Sequence, residues 1–183
     1  VEDIYSLIEE DLKEAIPNLP ETRPSSEIYK IKRGAAKALL GKVYLYHRNF
    51  QEAANQFNEV INSGNYQLLT GSAYRNLFTR SGENSSESVF EVQYTGVAGN
   101  NWDCLHCNAG NYMPQSNGPR PPFDDTTYKS GWGINFFSKY LYQQYSPSDI
   151  RRGVTVFAPR SGTYGVSREN SGYYNKKYLV NKN

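Results

Sequence analysis

The sequence is poor in residues that build metal and redox centres, with two cysteines, two histidines and one methionine among 183 residues. A structural zinc site usually requires four Cys or His ligands, so the sequence does not favour one. The net charge is only +2, from 20 Lys and Arg against 18 Asp and Glu, which gives no reason to expect nucleic acid or an acidic membrane as a partner. No apolar run approaches the roughly 18–20 residues of a membrane-spanning helix.

The chain also lacks catalytic signatures. It contains no H-E-x-x-H motif, no G-x-S-x-G elbow and no Walker-type Gly-Lys-Ser/Thr run. The Gly-Trp-Gly run at 131–133 does not fit a dinucleotide-binding loop, because Phe136 stands where the third glycine belongs. Asp124 and Asp125 are adjacent and tend to point apart, so they do not resemble the carboxylate pair of a glycosidase. Glu91 is interpreted as the solvent face of a strand. We therefore expect no enzyme activity and no cofactor.

Residues 33–68 are typical of a tetratricopeptide-like helical hairpin. That repeat places Leu, Gly and Tyr on its first helix, then a small residue and an aromatic on its second. Here these positions hold Leu40, Gly41, Tyr44, Ala53 and Phe57. We expect Gly41 to face Ala53, so that the helix axes approach closely, while Tyr44 and Phe57 fill the groove beside them. A single hairpin cannot bury its own apolar face, so further helices must stack on it.

The ends of the second helix carry capping signals. Asn49 is predicted to cap its start, with Glu52 completing a capping box. Gly64 is predicted to adopt the left-handed conformation that ends a helix.

A further helix is predicted upstream, where apolar residues recur at helical spacing and prolines then stop the pattern. The apolar residues are Ile4, Ile8, Leu12, Ala15 and Ile16, and the prolines are Pro17, Pro20 and Pro24. The chain shows no initiating Met, signal peptide or capping helix before this segment, so we expect residues 1–183 to be an excerpt of a longer protein.

The sequence predicts a mainly α fold in two parts. Residues 1–80 form the tetratricopeptide-like helical part, and residues 81–183 form a loop-rich part with one short strand and one short helix, packed on the first. The strand is predicted at Ser88–Tyr94, where apolar and polar residues alternate. The helix is predicted at Lys139–Tyr145, with Ser138 as its cap.

The rest of the loop-rich part is less regular. Residues 95–133 are rich in Gly, Asn and Pro and show no helical period, which in a long connection indicates a functional or disordered segment. Asp149 and Arg151 are interpreted as a local ion pair. The stretch at 158–183 fits either short strands or a meander. The residues expected to pack inward around the short helix are Ile134, Phe137, Leu141 and Tyr145.

Several segments, taken in order, resemble the SusD/RagB family of outer-membrane glycan-binding lipoproteins. Ile8–Pro20 is similar to the family's helix ahead of the core hairpin, and Ser63–Leu69 followed by Ala73–Phe78 is similar to the end of that hairpin. Glu87–Tyr94 is similar to the strand that follows. Gly131–Arg152 is similar to the later Gly-Trp-Gly, helix and Asp-x-Arg segment, and Gly172–Leu179 to the stretch before the final helices. The series covers nearly the whole chain and the middle of a typical family member.

The resemblance implies a function at the cell surface. A family member binds an oligosaccharide or polysaccharide without cleaving it and works beside a SusC-like TonB-dependent transporter. It faces outward from the outer membrane, held by a lipid anchor on an N-terminal cysteine that this chain does not contain. We therefore expect a glycan and the transporter as partners, no nucleic acid, and a membrane only through that anchor.

Aromatic residues beside planar polar groups are the candidates for glycan contact. A sugar ring presents an apolar C–H face and a rim of hydroxyls, which suit an aromatic ring and Asn, Asp or Arg respectively. The candidate residues are Asn101, Trp102, Asp103, Tyr112, Arg120 and Trp132. For both tryptophans the alternative is a packing role within the loop.

Cys104 and Cys107 form a C-x-x-C pair with three possible states. Such a pair suggests zinc or thiol redox chemistry, but a thioredoxin-like motif should open a helix, and here Asn and Gly residues surround it. In an exported protein a local disulfide would staple the long loop. We favour the disulfide over free thiols and over a metal or redox site.

A second function class stays open. A tetratricopeptide-like scaffold could bind a peptide or protein in a helical groove. Such a scaffold should repeat its unit with short links, whereas this chain departs into a long aromatic loop.

Overall fold

The computed structural model describes residues 1–94, 112–160, 162, 164–165 and 170–182. The fold is mainly helical, as predicted. The helices are α1 (Glu2–Asn18), α2 (Arg33–Tyr46), α3 (Phe50–Ile61), α4 (Gly71–Asn76), α5 (Met113–Asn117), α6 (Lys139–Gln144) and α7 (Ile150–Thr155). Strands β1 (Val156–Phe157) and β2 (Tyr174–Asn175) pair, and 3-10 turns lie at Ser25–Glu27, Arg80–Gly82 and Lys176–Tyr178. Within these described ranges, no helix combines the length and the apolar character needed to cross a bilayer.

The chain divides into two compact units, Val1–Gln93 and Tyr94–Asn183. The first unit contains α1 to α4, and the second contains α5 to α7 with both strands. The boundary expected at residue 80, and the packing of one part on the other, stay predictions.

The core of the first unit lies between the two helices of the hairpin. Leu40 is only 2% exposed and lies with Tyr44 and Ala53 in one buried cluster, against which the half-buried Leu12 and Ile16 of α1 pack. Burying a leucine side chain of this kind contributes about 2 kcal/mol. The predicted hairpin and its upstream helix are therefore both present.

Gly41 lies against an aromatic ring and not against the small residue that we expected. A Cβ at Gly41 would lie 2.7 Å from Cε1 of Phe57, and the atoms nearest to that position all belong to the Phe57 ring. The expected pairing of Gly41 with Ala53 is therefore wrong in its register. The missing side chain makes room for the ring, while Ala53 packs with Leu40 and Tyr44.

The predicted caps of α3 are formed, except for one half of the capping box. The Asn49 side chain accepts a hydrogen bond from the Glu52 amide at 3.4 Å. The Asn49 amide donates to the Tyr44 carbonyl at 2.8 Å, so it is not available to the Glu52 side chain. Gly64 has φ = +73°, the left-handed conformation predicted for it.

Only the second half of α1 reaches the apolar core of the hairpin. Leu12 and Ile16 reach the core, whereas Ile4 and Ile8 are exposed, Ile4 by 63%. The helix passes Pro17 and ends one residue later, at Asn18. Its last carbonyls have a partner in α2, because Arg33 Nε donates to the Ile16 and Leu19 carbonyls at 3.1 and 2.9 Å.

A histidine clamp joins the other end of α1 to the end of α2. His47 Nε2 lies 2.7 Å from Glu2 Oε2, and His47 Nδ1 lies 3.2 Å from Glu9 Oε1. The imidazole stacks on Tyr5, with ring centroids 4.4 Å apart. Glu9 also pairs with Lys13 at 3.2 Å. Hydrogen bonds to the Glu2 carboxylate and then to the Glu9 carboxylate raise the pKa of His47 above its ordinary value.

The prediction of a strand at 88–94 is wrong. The structure assigns no strand to these residues, which are all described. The segment instead turns back on itself, because the Glu91 carboxylate accepts hydrogen bonds from the Asn84 amide at 3.0 Å and from the Ser88 hydroxyl. Glu91 therefore holds a turn and is not the solvent face of a strand. The alternation of residue types describes an extended segment, but a strand also requires a partner.

The two strands lie in the second unit. Val156 and Phe157 pair antiparallel with Asn175 and Tyr174. The described residues of 158–183 therefore include one short strand, β2. Tyr174 is fully buried and meets the Phe136 ring edge-on, with centroids 5.6 Å apart.

The short helices of the second unit are only partly as predicted. The expected helix is present as α6, and Ser138 caps it by accepting from the Leu141 amide at 3.4 Å. Ile134 and Leu141 do not pack inward but are exposed, whereas Tyr142 of α6 and Tyr145, which follows the helix, are half-buried. Helix α5 lies in a stretch where no helix was predicted.

Substituting Gly41 with leucine should destabilise the first unit. The new side chain would meet the Phe57 ring and overpack the hairpin, which typically costs about 1–3 kcal/mol. Thermal unfolding of the complete protein measures the change. Gly153→Leu is the matched control, because nothing lies within 4 Å of a Cβ at Gly153. An unchanged melting midpoint for Gly41→Leu would show that the ring does not occupy this position.

The His47 clamp should make stability depend on pH. A raised pKa in the folded state means that the stabilisation is complete below the unfolded value of about 6.5 and is lost as pH rises through the folded value. The melting midpoints of the native protein and of His47→Gln should therefore differ most at low pH and converge at high pH. Scans between about pH 5 and pH 9 test this. A difference that stays constant over that range would contradict it.

Candidate functional site

Three of the six candidate glycan-binding residues belong to the described part of the chain. These are Tyr112, Arg120 and Trp132. Asn101, Trp102 and Asp103 lie outside the described residues. Cys104 and Cys107 lie outside them too, so the disulfide stays a prediction.

Two chain segments, residues 115–119 and residues 131–133, are joined by backbone hydrogen bonds next to the candidate residues. We call this contact the crossing. The amide of Gly131 donates to the Pro119 carbonyl at 2.7 Å, and the amide of Trp132 donates to the Gln115 carbonyl at 2.6 Å. Further along, the amide of Gly133 donates to the Gly118 carbonyl at 2.9 Å. These bonds fix the backbone of Trp132 to the end of α5.

The segments can approach this closely because both are glycine at the crossing. A Cβ at Gly131 would lie 2.5 Å from the Gln115 carbonyl oxygen and 2.7 Å from Cα of Gly118. A Cβ at Gly118 would lie 2.8 Å from the amide nitrogen of Gly131. The neighbouring atoms belong to the backbone, so a side chain here would displace a whole segment.

Arg120 and Trp132 are brought together by this crossing. Nε of Arg120 donates to the Trp132 carbonyl at 3.1 Å, which directs the guanidinium across the Gly-Trp-Gly run. Gly133 has φ = +57°, and its Cβ position lies 3.4 Å from Cβ of Arg120. The Arg120 carbonyl accepts from the Gly165 amide at 2.8 Å. Both Arg120 and Trp132 are exposed, Trp132 by 38%.

Tyr112 lies at the start of α5, one turn from the crossing. Its carbonyl accepts from the Ser116 amide at 3.2 Å. At the other end of the helix, the Asn117 side chain is only 1% exposed and donates to the Met113 carbonyl at 2.7 Å. This buried amide closes the last turn, and it keeps α5 in the position that holds Trp132.

The described side chains at the crossing are of types that suit a binding role. Asp125 is committed to a turn, because its Oδ1 accepts from the Thr127 and Tyr128 amides, both at 2.7 Å. In the part of the chain that is described, no three His, Cys, Asp or Glu side chains are placed to hold a metal ion. What remains at the crossing is an exposed indole next to a planar guanidinium, which can cover a sugar face and donate to its hydroxyls.

Sequence reasoning missed a second group of polar and aromatic side chains. Tyr142 of α6 lies against Tyr173, with centroids 4.4 Å apart, and the Arg152 guanidinium lies 4.3 Å from the Tyr142 centroid. The three residues are far apart in sequence and belong to no common pattern. Only the abundance of tyrosine in this half of the chain, beside consecutive arginines, could have indicated such a stack.

Comparison with known proteins identifies the fold. A SusD-like protein of Formosa agariphila, named SusD-like protein P2, is 28% identical over 158 residues, which is 84% of this chain and 29% of that protein. The chain thus spans less than a third of the length of this curated relative. No family model matches the sequence.

Solved structures agree with this result. A laminarin-binding SusD-like protein matches 98% of this chain with a TM-score of 0.88 and 32% identity, over 42% of its own length. A surface glycan-binding protein A from Bacteroides thetaiotaomicron, solved with laminarihexaose, matches 97% with a TM-score of 0.84 and 25% identity, also over 42% of its length. The predicted resemblance to the SusD/RagB family is therefore confirmed.

Replacing Gly131 with alanine should disturb the crossing and the position of Trp132. The added methyl group would clash with backbone atoms of the facing segment, and overpacking of this kind typically costs about 1–3 kcal/mol. Thermal unfolding and tryptophan fluorescence of the complete protein measure the loss of stability and the change around the indole. Gly153→Ala adds the same methyl group in open space and is the control. Unchanged unfolding and fluorescence in Gly131→Ala would show that the segments are not in contact.

Proposed function

Because the chain has the fold of SusD-like proteins, we propose that the complete protein binds an oligosaccharide or polysaccharide at the bacterial cell surface and does not cleave it. The observation that carries this proposal is the match, over nearly the whole chain, to a structure described as a laminarin-binding SusD-like protein. At 32% identity and a TM-score of 0.88, the likeness includes sequence as well as fold.

The crossing of the second unit supplies local support. Trp132 offers an exposed apolar face, and the neighbouring Arg120 offers planar N–H donors. We propose that these two residues and Tyr112 form one side of a glycan site. Asn101, Trp102 and Asp103 precede them in sequence and have the same combination of ring and planar polar groups, so we propose that they complete the site.

The absence of cleavage is proposed from the chemistry of the candidate residues. An inverting or retaining glycosidase needs two carboxyl groups facing one bond. Asp125 is occupied by backbone amides, and Glu91 accepts from Asn84 and Ser88. The relatives are named for binding, which agrees with this interpretation.

Location and partner follow from the family and are proposals for the complete protein. We propose that it is anchored by a lipid in the outer membrane, faces outward, and delivers its glycan to a SusC-like TonB-dependent transporter. The alternative of a tetratricopeptide-like interaction scaffold has less support, because the structural relatives are described as glycan-binding.

Removing either tryptophan ring should weaken glycan binding without unfolding the protein. We expect Trp102→Ala and Trp132→Ala each to lower the affinity of the complete protein about tenfold for its neutral or weakly charged glycan, because each removes an apolar platform. A glycan array identifies the ligand, with laminarihexaose among the probes, and calorimetry measures its affinity. Absolute affinity should be modest, since a shallow site recovers little of the cost of desolvating hydroxyls.

The control is Tyr46→Ala, which removes a 69% exposed ring from α2 of the first unit. Circular dichroism checks the fold of each variant. Native affinity in a folded Trp102→Ala or Trp132→Ala protein would remove that tryptophan from the site. Release of sugar products from the bound glycan would show that the protein is an enzyme.

A further inference from the structure

Arg152 stands out among the described arginines because part of its guanidinium is buried without a hydrogen-bond acceptor. Nε is buried and has no partner. Within the described ranges, the side-chain interaction recorded for Arg152 is the one with the Tyr142 ring, 4.3 Å from its centroid. Nη1 and Nη2 are not among the buried unpaired atoms, so they keep contact with solvent. A guanidinium has five N–H donors, and withdrawing them from water without an acceptor is costly.

The neighbouring arginine shows what Arg152 lacks. Arg151 forms a close ion pair with Asp149, with Nη2 2.6 Å from Oδ2. Asp149 also accepts from the Arg151 amide at 2.9 Å as the cap of α7. The Arg151 side chain is the first cause of the lowered pKa of Asp149. The nearest carboxylate in sequence is therefore already occupied, and among the described residues no carboxylate forms an ion pair with Arg152.

A stack of aromatic rings holds Arg152 in place. The Arg152 guanidinium lies 4.3 Å from the centroid of the Tyr142 ring, and the centroid of the Tyr173 ring lies 4.4 Å from that same centroid. At these distances Arg152 and Tyr173 must lie on opposite faces of the Tyr142 ring. Tyr173 is itself fixed, because its carbonyl accepts from the Phe137 amide at 2.9 Å and its amide donates to the Ser171 hydroxyl at 3.2 Å. A stacked guanidinium is orientated before any ligand arrives, which reduces the entropy lost on binding.

The unit that carries this stack is electropositive. Residues 94–183 contain 10 Lys and Arg against 5 Asp and Glu, a net charge of +5, whereas residues 1–93 contain 10 against 13, a net charge of −3. Close to Arg152, Lys176 donates to the Gly153 carbonyl at 2.8 Å and adds a second positive charge at α7. The local field therefore attracts an anion.

We propose that Arg152, stacked on Tyr142, is a binding site for the carboxylate of an acidic sugar, a uronic acid residue of the glycan. The planar guanidinium matches the planar carboxylate, and a charge-assisted hydrogen bond to it is stronger than one to a neutral hydroxyl. The choice of a sugar as the bearer of the carboxylate rests on the proposed glycan-binding function. The site is separate from Arg120 and Trp132 in sequence and belongs to other elements of the same unit.

The test compares two sugars that differ only at carbon 6, D-glucuronate and D-glucose, in ligand-observed NMR titrations of the complete protein at low salt. Arg152→Gln should weaken glucuronate binding by about tenfold or more, the effect expected from one charge-assisted hydrogen bond. Glucose binding should not change. Arg152→Lys keeps the charge but loses the planar pair of N–H donors that matches a carboxylate, so it should weaken glucuronate binding by about fivefold. Raising the salt concentration should weaken glucuronate binding to the native protein.

Arg75→Gln is the matched control, because Arg75 is an exposed arginine of α4 in the other unit. It removes the same charge and should leave glucuronate binding unchanged.

Near-ultraviolet circular dichroism reports on the tyrosine stack. If Arg152→Gln does not fold, the measurement on Arg152→Lys decides. Equal glucuronate affinity in native and Arg152-substituted proteins would overturn the proposal, and so would displacement of glucuronate by equimolar acetate, which would indicate a simple anion site. If the native protein binds neutral glycans but not glucuronate, the proposed site is wrong and the proposed function stands. If the native protein binds no glycan on an array, the proposed function itself is wrong.

Discussion

The absence of a side chain at a few glycines is the constraint on which both units depend. In the hairpin, Gly41 leaves room for the ring of Phe57, and the core of Leu40, Tyr44 and Ala53 forms beside it. In the second unit, the backbone of Gly131 touches that of Gly118, and the hydrogen bonds of that crossing hold Trp132. Close packing has no slack for an added methyl group, so helix pairing in one unit and ring placement in the other have the same physical cause.

The two units differ in how their charges are satisfied. In the first unit, which has an acidic surplus, Arg23, Lys30 and Arg33 pair with Glu27 or Glu21, and His47 bridges two glutamates of α1. In the second unit the cations outnumber the acids, and Arg120 and Arg152 have a backbone carbonyl and an aromatic ring as their partners. Such arginines are orientated but not neutralised, and they keep N–H donors that a ligand can use. The positive charge balance of the second unit supports the proposal that it carries the binding site.

How far the sequence predicts the structure depends on the range of the interactions involved. The hairpin, the Asn49 and Ser138 caps and the left-handed Gly64 were predicted, because each depends on residues within one or two turns. The strand at 88–94 was wrong, because alternation does not reveal whether a partner strand exists. Arg120 and Trp132 were chosen for their chemistry, yet their contact depends on a crossing of distant segments that no local pattern encodes. The stack on Tyr142 was missed for the same reason.

The described groups at the crossing favour the proposed binding role over a catalytic one. Catalysis requires groups that bind the transition state more strongly than the substrate, and the groups at the crossing are an indole face and a guanidinium, which contact a sugar equally well before and after any reaction. The short hydrogen bonds beneath Trp132 fix its backbone, so little order has to be gained when a sugar ring lies on it. Contacts that are ordered in advance suit the proposed role, in which a glycan is bound without being changed.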